Sequence, residues 1–291
     1  MSVSRAAGSV FHYTRWFEHM QRFSASPGEI VKSTWRHWAL LKALVKREVI
    51  GRYRGSSLGI LWSLFHPLLM LAVYTVVFSV IFKARWSAGS DSKTEFALVL
   101  FAGMLVFNLF SECVNRAPTL ILSNANYVKK VIFPLEILPC VGIGSALFHF
   151  LVGLAVWLAF YIATVGAPHL TVVYLPFVMV PLVLFTLGIS WLLASMAVFL
   201  RDIGQAIGIV TTVLMFLSPI FYPVSALPER YRIFLMLNPL SPAIEETRNV
   251  LYWGRAPDWS MIGISMVVAT LVAWLGFAWF QKTRKGFADV L

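Results

Sequence analysis

Residues 47–82 read REVIGRYRGSSLGILWSLFHPLLMLAVYTVVFSVIF, and the fold turns on how abruptly this stretch changes character. Arg47, Glu48, Arg52 and Arg54 crowd its start, whereas Gly55 to Phe82 contains no Asp, Glu, Lys or Arg and one histidine, His66. Wound as a helix, such a run crosses the ~30 Å hydrocarbon core of a bilayer. Basic residues beside a span stay preferentially on the cytoplasmic side. The chain is therefore expected to enter the membrane from the cytoplasm near Gly55 and to emerge near Lys83.

Composition supports the same reading over the whole length. The 291 residues are 59% hydrophobic and 13% charged, too little polar material to coat a soluble globule of this size. The net charge of +11 fits basic juxtamembrane segments facing anionic lipid, and the apolar spans argue against a nucleic-acid-binding protein. The N-terminus lacks a basic-then-apolar leader with a small-residue cleavage site, so the first span is expected to act as its own insertion signal. Cys113 and Cys140 fall near the expected cytoplasmic face, where thiols stay reduced; neither a disulfide nor a metal site is expected.

Working outward, the chain divides into an N-terminal extension (1–34), an interfacial helix (35–54) and a transmembrane domain (55–291). The extension carries an aromatic stripe, Tyr13, Trp16, Phe17 and Met20, ended by the Ser24–Gly28 cluster. The interfacial helix sets Trp35, Trp38, Leu41, Val45 and Val49 against Lys42, Lys46 and Arg47. Six spans are expected, at about 58–82, 96–111, 137–163, 172–200, 204–222 and 262–280. Both termini are then cytoplasmic, and of 24 Lys and Arg only Lys83, Arg85, Lys93, Arg230, Arg232, Arg248 and Arg255 lie outside.

Two connections are too elaborate for plain turns. Ser123–Pro139 offers a cap at Ser123 or Asn124, the Lys129-Lys130 pair and then Pro134, which would end a short cytoplasmic helix. Pro223–Asp258 contains two helical pieces, Glu229–Leu237 and Pro242–Tyr252, the second with Ser241 as its cap and Pro242 at its first position. Tyr231, Phe234, Leu235, Ile244 and Leu251 make both pieces apolar enough to dip back into the outer leaflet.

The chain has no phosphate-binding loop, no nucleophile elbow and no metal-ligand spacing. Glu48, Glu112, Glu136 and Asp202 all sit at span ends, which disfavours an ion-coupled carrier. The span interiors hold aromatics instead: Trp62, Phe65, Tyr74, Phe107, Phe216, Phe221 and Tyr222 among them. Aromatic faces suit sugar rings, although lipid-facing and helix-packing roles account for such residues equally simply. His66, next to Pro67, together with His149 and Asn108, reads as satisfying backbone or interhelical hydrogen bonds.

Five stretches resemble the permease subunit of ATP-binding-cassette polysaccharide exporters, the type-2 class that moves O-antigen, capsule and teichoic acid polymers. They are KREVIGRYRGSSLGILWSLFHPLL (46–69), NANYVKKVIFPLEILP (124–139), FLRDIGQ (199–205), LSPIFYPVSALPERYRIFLMLNPLSPAIEETRNVLY (217–252) and GFADVL (286–291). The resemblance runs from about Trp35 to the end. It implies a homodimeric channel in the bacterial cytoplasmic membrane, with ATP and Mg bound by two copies of a separate ATPase subunit and no cofactor in this chain. The substrate implied is a lipid-linked polysaccharide, and periplasmic or outer-membrane export components are further implied partners. The family's coupling helix falls on Asn124–Pro134, with Tyr127, Lys129, Lys130 and Phe133 against the ATPase. Arg47, Arg52 and Arg54 would meet a lipid-linked diphosphate at the entrance, a geometry guanidinium forks suit, with anionic-lipid anchoring as the simpler role. The outer pieces match extracytoplasmic gate helices, giving Glu229, Tyr231, Phe234, Glu245 and Glu246 a gating role. The alternatives are a related exporter of lipids or drugs, and a membrane-embedded transferase, which would need converging acids that the sequence does not show.

Overall fold

In the computed structural model the described residues are 24–77, 86, 93–129 and 133–291; the Tyr13–Met20 stripe, Lys130 and the last residues of the first expected span lie outside them. The regular elements among them are all helical. At the start lie α1 (Pro27–Arg36), α2 (Trp38–Tyr53) and α3 (Trp62–Tyr74), then α4 (Lys93–Arg116) and the single turn α5 (Ala125–Val128). The long α6 (Leu138–Thr164) and α7 (Leu175–Phe199) follow, with the shorter α8 (Ile203–Leu217) behind them. Two short helices, α9 (Glu229–Leu237) and α10 (Leu240–Arg248), precede α11 (Trp259–Thr283) and the terminal α12 (Phe287–Val290).

Five segments are long and apolar enough to cross a membrane: Gly59–Val77, Thr94–Thr119, Leu135–Thr164, Leu170–Phe199 and Trp259–Val290. Their starts follow from local chemistry. Pro139 and Pro176 occupy the first turns of α6 and α7, where the missing N–H has no partner to lose. Asp258 caps α11, its Oδ1 accepting from Ser260 N at 2.9 Å and Met261 N at 3.2 Å. The fifth expected run, 204–222, is helical only to Leu217. Pro219 bars Ser218 from the helical region, and the chain turns extended there (ψ 150°) while Ser218 Oγ donates back to Leu214 O.

The helix expected at 35–54 is two helices. Pro27 opens α1, the chain bends at His37, and Trp35 sits 82% exposed on α1 rather than beside Trp38. The 34/35 boundary therefore falls inside a helix. On α2, Leu41 and Leu44 pack against Ile137 and Val141, and Val45 seats on Gly144. At the opposite end, Ser241 is not a cap. The helix already begins at Leu240, whose N–H donates to Asn238 Oδ1 at 3.0 Å, and Pro242 is its third residue rather than its first.

α4 is the keel of the bundle. In its span 83% of the most apolar window is buried, against 6% for the α3 span, because α6, α7, α8 and α10 all pack around it. Trp157 of α6 donates its indole N–H to Leu98 O on α4 at 2.8 Å, and Trp191 of α7 donates to Glu136 O at 2.9 Å, so both large buried rings also satisfy their polar edge. α7 and α11 make the closest approach. A Cβ on Gly276 would strike the Gly188 carbonyl, and one on Gly188 would strike the Val272 backbone. Small residues allow such backbone contact where lipid offers no hydrophobic drive to association. Gly276→Leu is accordingly expected to destabilise the bundle by about 1–3 kcal/mol, read as a lower thermal midpoint in detergent, with Gly263→Leu, where nothing lies within reach, as the neutral control.

Candidate functional site

A cleft of about 420 Å³ opens between α2, α3, α4 and α6. Trp62, His66 and Asn108 line it, together with a polar cluster of Arg52, Tyr53, Glu112 and His149. Arg52 Nη1 donates to Glu112 Oε1 at 2.8 Å. His149 Nδ1 lies 3.0 Å from each Glu112 oxygen and its Nε2 lies 3.0 Å from the Tyr53 hydroxyl. Arg52 Nη1 also lies 3.0 Å from His149 Nδ1, so guanidinium, carboxylate, imidazole and phenol form one continuous polar cluster. Arg52 remains 41% exposed at its side chain, so its guanidinium keeps donors free toward the cleft mouth.

α2 is fastened along this polar edge to three other elements. Glu48 pairs with Arg116 at the end of α4, and Arg47 Nη1 donates to Tyr127 Oη at 3.1 Å on α5. The Tyr127 ring stacks on Phe133, centroids 4.2 Å apart. Behind that stack Glu136 gathers the same end of the molecule. Its carboxylate accepts from Ser33 Oγ of α1 at 2.9 Å and from Arg284 Nη1 beyond α11 at 2.6 Å, while Arg284 Nη2 donates to Phe133 O at 2.8 Å. Among the described residues no cluster of His, Cys, Asp or Glu is placed to hold a metal, and both cysteines are free thiols.

The opposite end is organised by Arg248. Its side chain is fully buried, donates to Val99 O (3.0 Å), Pro219 O (2.5 Å) and Ile220 O (2.9 Å), pairs with Glu245 at 2.7 Å and stacks on Trp86 at 4.2 Å. One guanidinium thus collects the carbonyls released where α8 breaks off and links them to α4 and α10. Gly103 on α4 leaves the room it needs, since a Cβ there would meet the guanidinium. Glu246 accepts from Asp258 N at 3.0 Å, and burial raises its carboxyl above the usual range.

A family model described as ABC-2 type transporter matches residues 39–252, from the start of α2 through α10. The chain belongs to the ABC-2 type transporter family. Similar full-length relatives accompany this match. The O-antigen export system permease protein RfbA of Myxococcus xanthus is 28% identical over 262 residues, 89% of this chain and 98% of that protein. Its namesake in Klebsiella pneumoniae is 25% identical, covering 87% and 95%. The polysialic acid transport protein KpsM of Escherichia coli is 23% identical, covering 84% and 93%.

Within this ABC-2 chain the residues singled out from sequence scatter over several surroundings. Arg52 and Trp62 meet in the cleft, Arg47 points instead to Tyr127, and Arg54 is an exposed C-cap of α2. Tyr127 and Phe133 stack together and Lys129 is exposed beside them; of the expected helix at 124–134 the described residues are α-helical over Ala125–Val128, after a 3-10 turn at Leu122–Asn124. Phe65 (49%) and Phe216 (61%) are exposed, Phe107 is buried inside the subunit, and Tyr74 and Phe221 are half-buried against its core. Tyr222 donates its hydroxyl to Phe216 O at 3.3 Å. Of the outer residues, Glu229 and Tyr231 are exposed, Glu245 and Glu246 are tied into α10, and Phe234 lies on α9 with its side chain outside the described set.

Sequence reasoning passed over Arg248, Glu136 and Arg284, and set His149 aside as a backbone-satisfying residue. The available signal was Glu245 three residues before Arg248, since a charge at membrane depth needs a partner in reach. Arg248→Met orphans three carbonyls and Arg284→Met orphans Glu136, so each is expected to cost about 3–5 kcal/mol, measured as thermal midpoint and membrane yield. Arg248→Lys should recover little of that loss, because one ammonium cannot span acceptors on three elements.

Proposed function

We propose that the chain is the channel-forming permease of an ATP-driven exporter that carries a lipid-linked polysaccharide across the bacterial cytoplasmic membrane. The observation that carries this reading is similarity over nearly the full length of relatives named as O-antigen and capsular polysaccharide export permeases. The family assignment supports the transport role and a nucleotide-hydrolysing partner that supplies the energy from outside this chain, holding the ATP and Mg.

Several finer features belong to the same reading. α8, although short, is taken as a sixth crossing, with the chain around Pro219–Tyr222 completing the passage; this leaves both termini on the cytoplasmic side, consistent with Trp274 Nε1 donating to Ala25 O at 3.1 Å. A homodimer is supported by the apolar faces that α3 and α8 leave open beside α4, including Trp62, Phe65, Leu68, Val213 and Phe216. The Tyr127–Phe133 stack, with Lys129 and Lys130, would receive the ATPase stroke, and the Arg47 hydrogen bond would pass it to α2. At the cleft mouth Arg52 would take a diphosphate in place of Glu112, which His149 and Tyr53 would hold back in the empty state. α9 and α10 would form the outer gate, hinged on Arg248, before any periplasmic components. This coupling needs nucleotide to bind one channel state better than the other.

Deleting the gene in its host is expected to trap polymer inside the cell, scored by antibody on intact against permeabilised cells; unchanged surface glycan without a redundant exporter would bring lipid or drug export forward. In the assembled complex, the charge reversal Lys129→Glu with Lys130→Glu should reduce co-purification of the ATPase and export together. Normal co-purification and export would remove this turn from the coupling path.

A further inference from the structure

On the side of α2 away from the polar cleft, a second groove of about 640 Å³ runs between α2 and α6. Leu41, Val45 and Val49 form one wall and Ile143, Leu147 and Phe148 the other, with Gly144 at the floor. The charges lining it are Lys42 and Lys46, one helical turn apart on α2 and both exposed. We propose that this groove binds an anionic phospholipid, the acyl chain filling the apolar channel and the headgroup phosphate held between Lys42 and Lys46.

Charge accounting favours an occupant brought from outside. The four glutamates nearest α1 and α2 already have partners within the chain: Glu29 with Arg36, Glu48 with Arg116, Glu112 with Arg52, and Glu136 with Arg284. Lys42 and Lys46 form no ion pair among the described residues; the Lys42 ammonium lies 5.7 Å from the Trp38 ring, held at the groove's rim. Two neighbouring cations left over beside fully paired acids call for an anion that the fold does not supply. Apolar walls disfavour water as the filling and match a hydrocarbon chain. A membrane phospholipid offers both parts in one molecule.

The site has a consequence for transmission. The acyl chain would set the spacing of α2 from α6 on one flank, while the other edge of α2 carries Arg47 to Tyr127 and Arg52 to Glu112. An occupied groove would hold both contacts in register. This inference rests on the chain spanning a membrane and is independent of what is exported.

The test is native mass spectrometry of the purified full chain in nanodiscs containing equal phosphatidylglycerol and phosphatidylcholine. Wild type is expected to retain phosphatidylglycerol roughly tenfold over phosphatidylcholine. Lys42→Gln with Lys46→Gln should keep a bound lipid but lose the preference, and Leu147→Trp, which fills the channel, should lose the lipid altogether. A preference unchanged in the lysine variant, no retained phospholipid in wild type, or an isoprenoid-linked molecule in its place would each overturn the proposal. The readout is lipid mass and needs no transport, so failure of the export reading would leave it standing. Should the tryptophan variant fold poorly, the lysine variant decides alone.

Discussion

A charge carried into hydrocarbon has to find its counter-charge in the protein, and that constraint accounts for most of the long-range ties here. Glu48 with Arg116, Glu112 with Arg52, Glu136 with Arg284 and Glu245 with Arg248 each involve a group near the end of a helix. The first three join elements far apart in sequence and lie at the end holding α1 and α2; the fourth lies at the other. Van der Waals packing fills the middle of the bundle, while ion pairs decide how its ends are gathered. The pairs are therefore placed where a motion of one element must be felt by another.

α2 shows what such placement achieves. Within two turns it presents Arg47 to α5, Glu48 and Arg52 to α4, and Tyr53 to α6. Arg47 thus ties the Ala125–Val128 turn to the helix that also lines the cleft. Further along, Glu136 is held by both Arg284 and Ser33. At the far end the Arg248 guanidinium makes α4, α10 and the break after α8 one body.

Much of the architecture was legible in the amino-acid sequence because apolar run length is a strong signal. The five long helices lie on expected spans, and α4 and α11 reach beyond theirs at both ends, α4 to Arg116, which Glu48 pairs. The α9 helix matched its expected limits at Glu229–Leu237. Capping was less legible. Ser241 followed by Pro242 resembles a helix start, yet Asn238 provides the earlier acceptor and the helix begins sooner. The candidate site was half legible: the basic collar announced Arg52, but its partners Glu112 and His149 stand 60 and 97 positions away, and nothing local marks such pairings. Arg248 read as an outer-loop charge because the three carbonyls that bury it come from segments distant in sequence, and only its ion-pair partner Glu245 is local.

Phe287 lies beyond α11, in the terminal turn α12, and is nonetheless fully buried, its ring against Phe280 and Phe199. Gly276 and Arg284, which seat against α7 and Glu136, also come late in the chain. During synthesis the earlier helices must therefore wait in the membrane with the α7 groove and the Glu136 carboxylate unfilled until α11 and Arg284 have been made. Quality control that samples exposed acids or grooves would thus see an unfinished molecule until then.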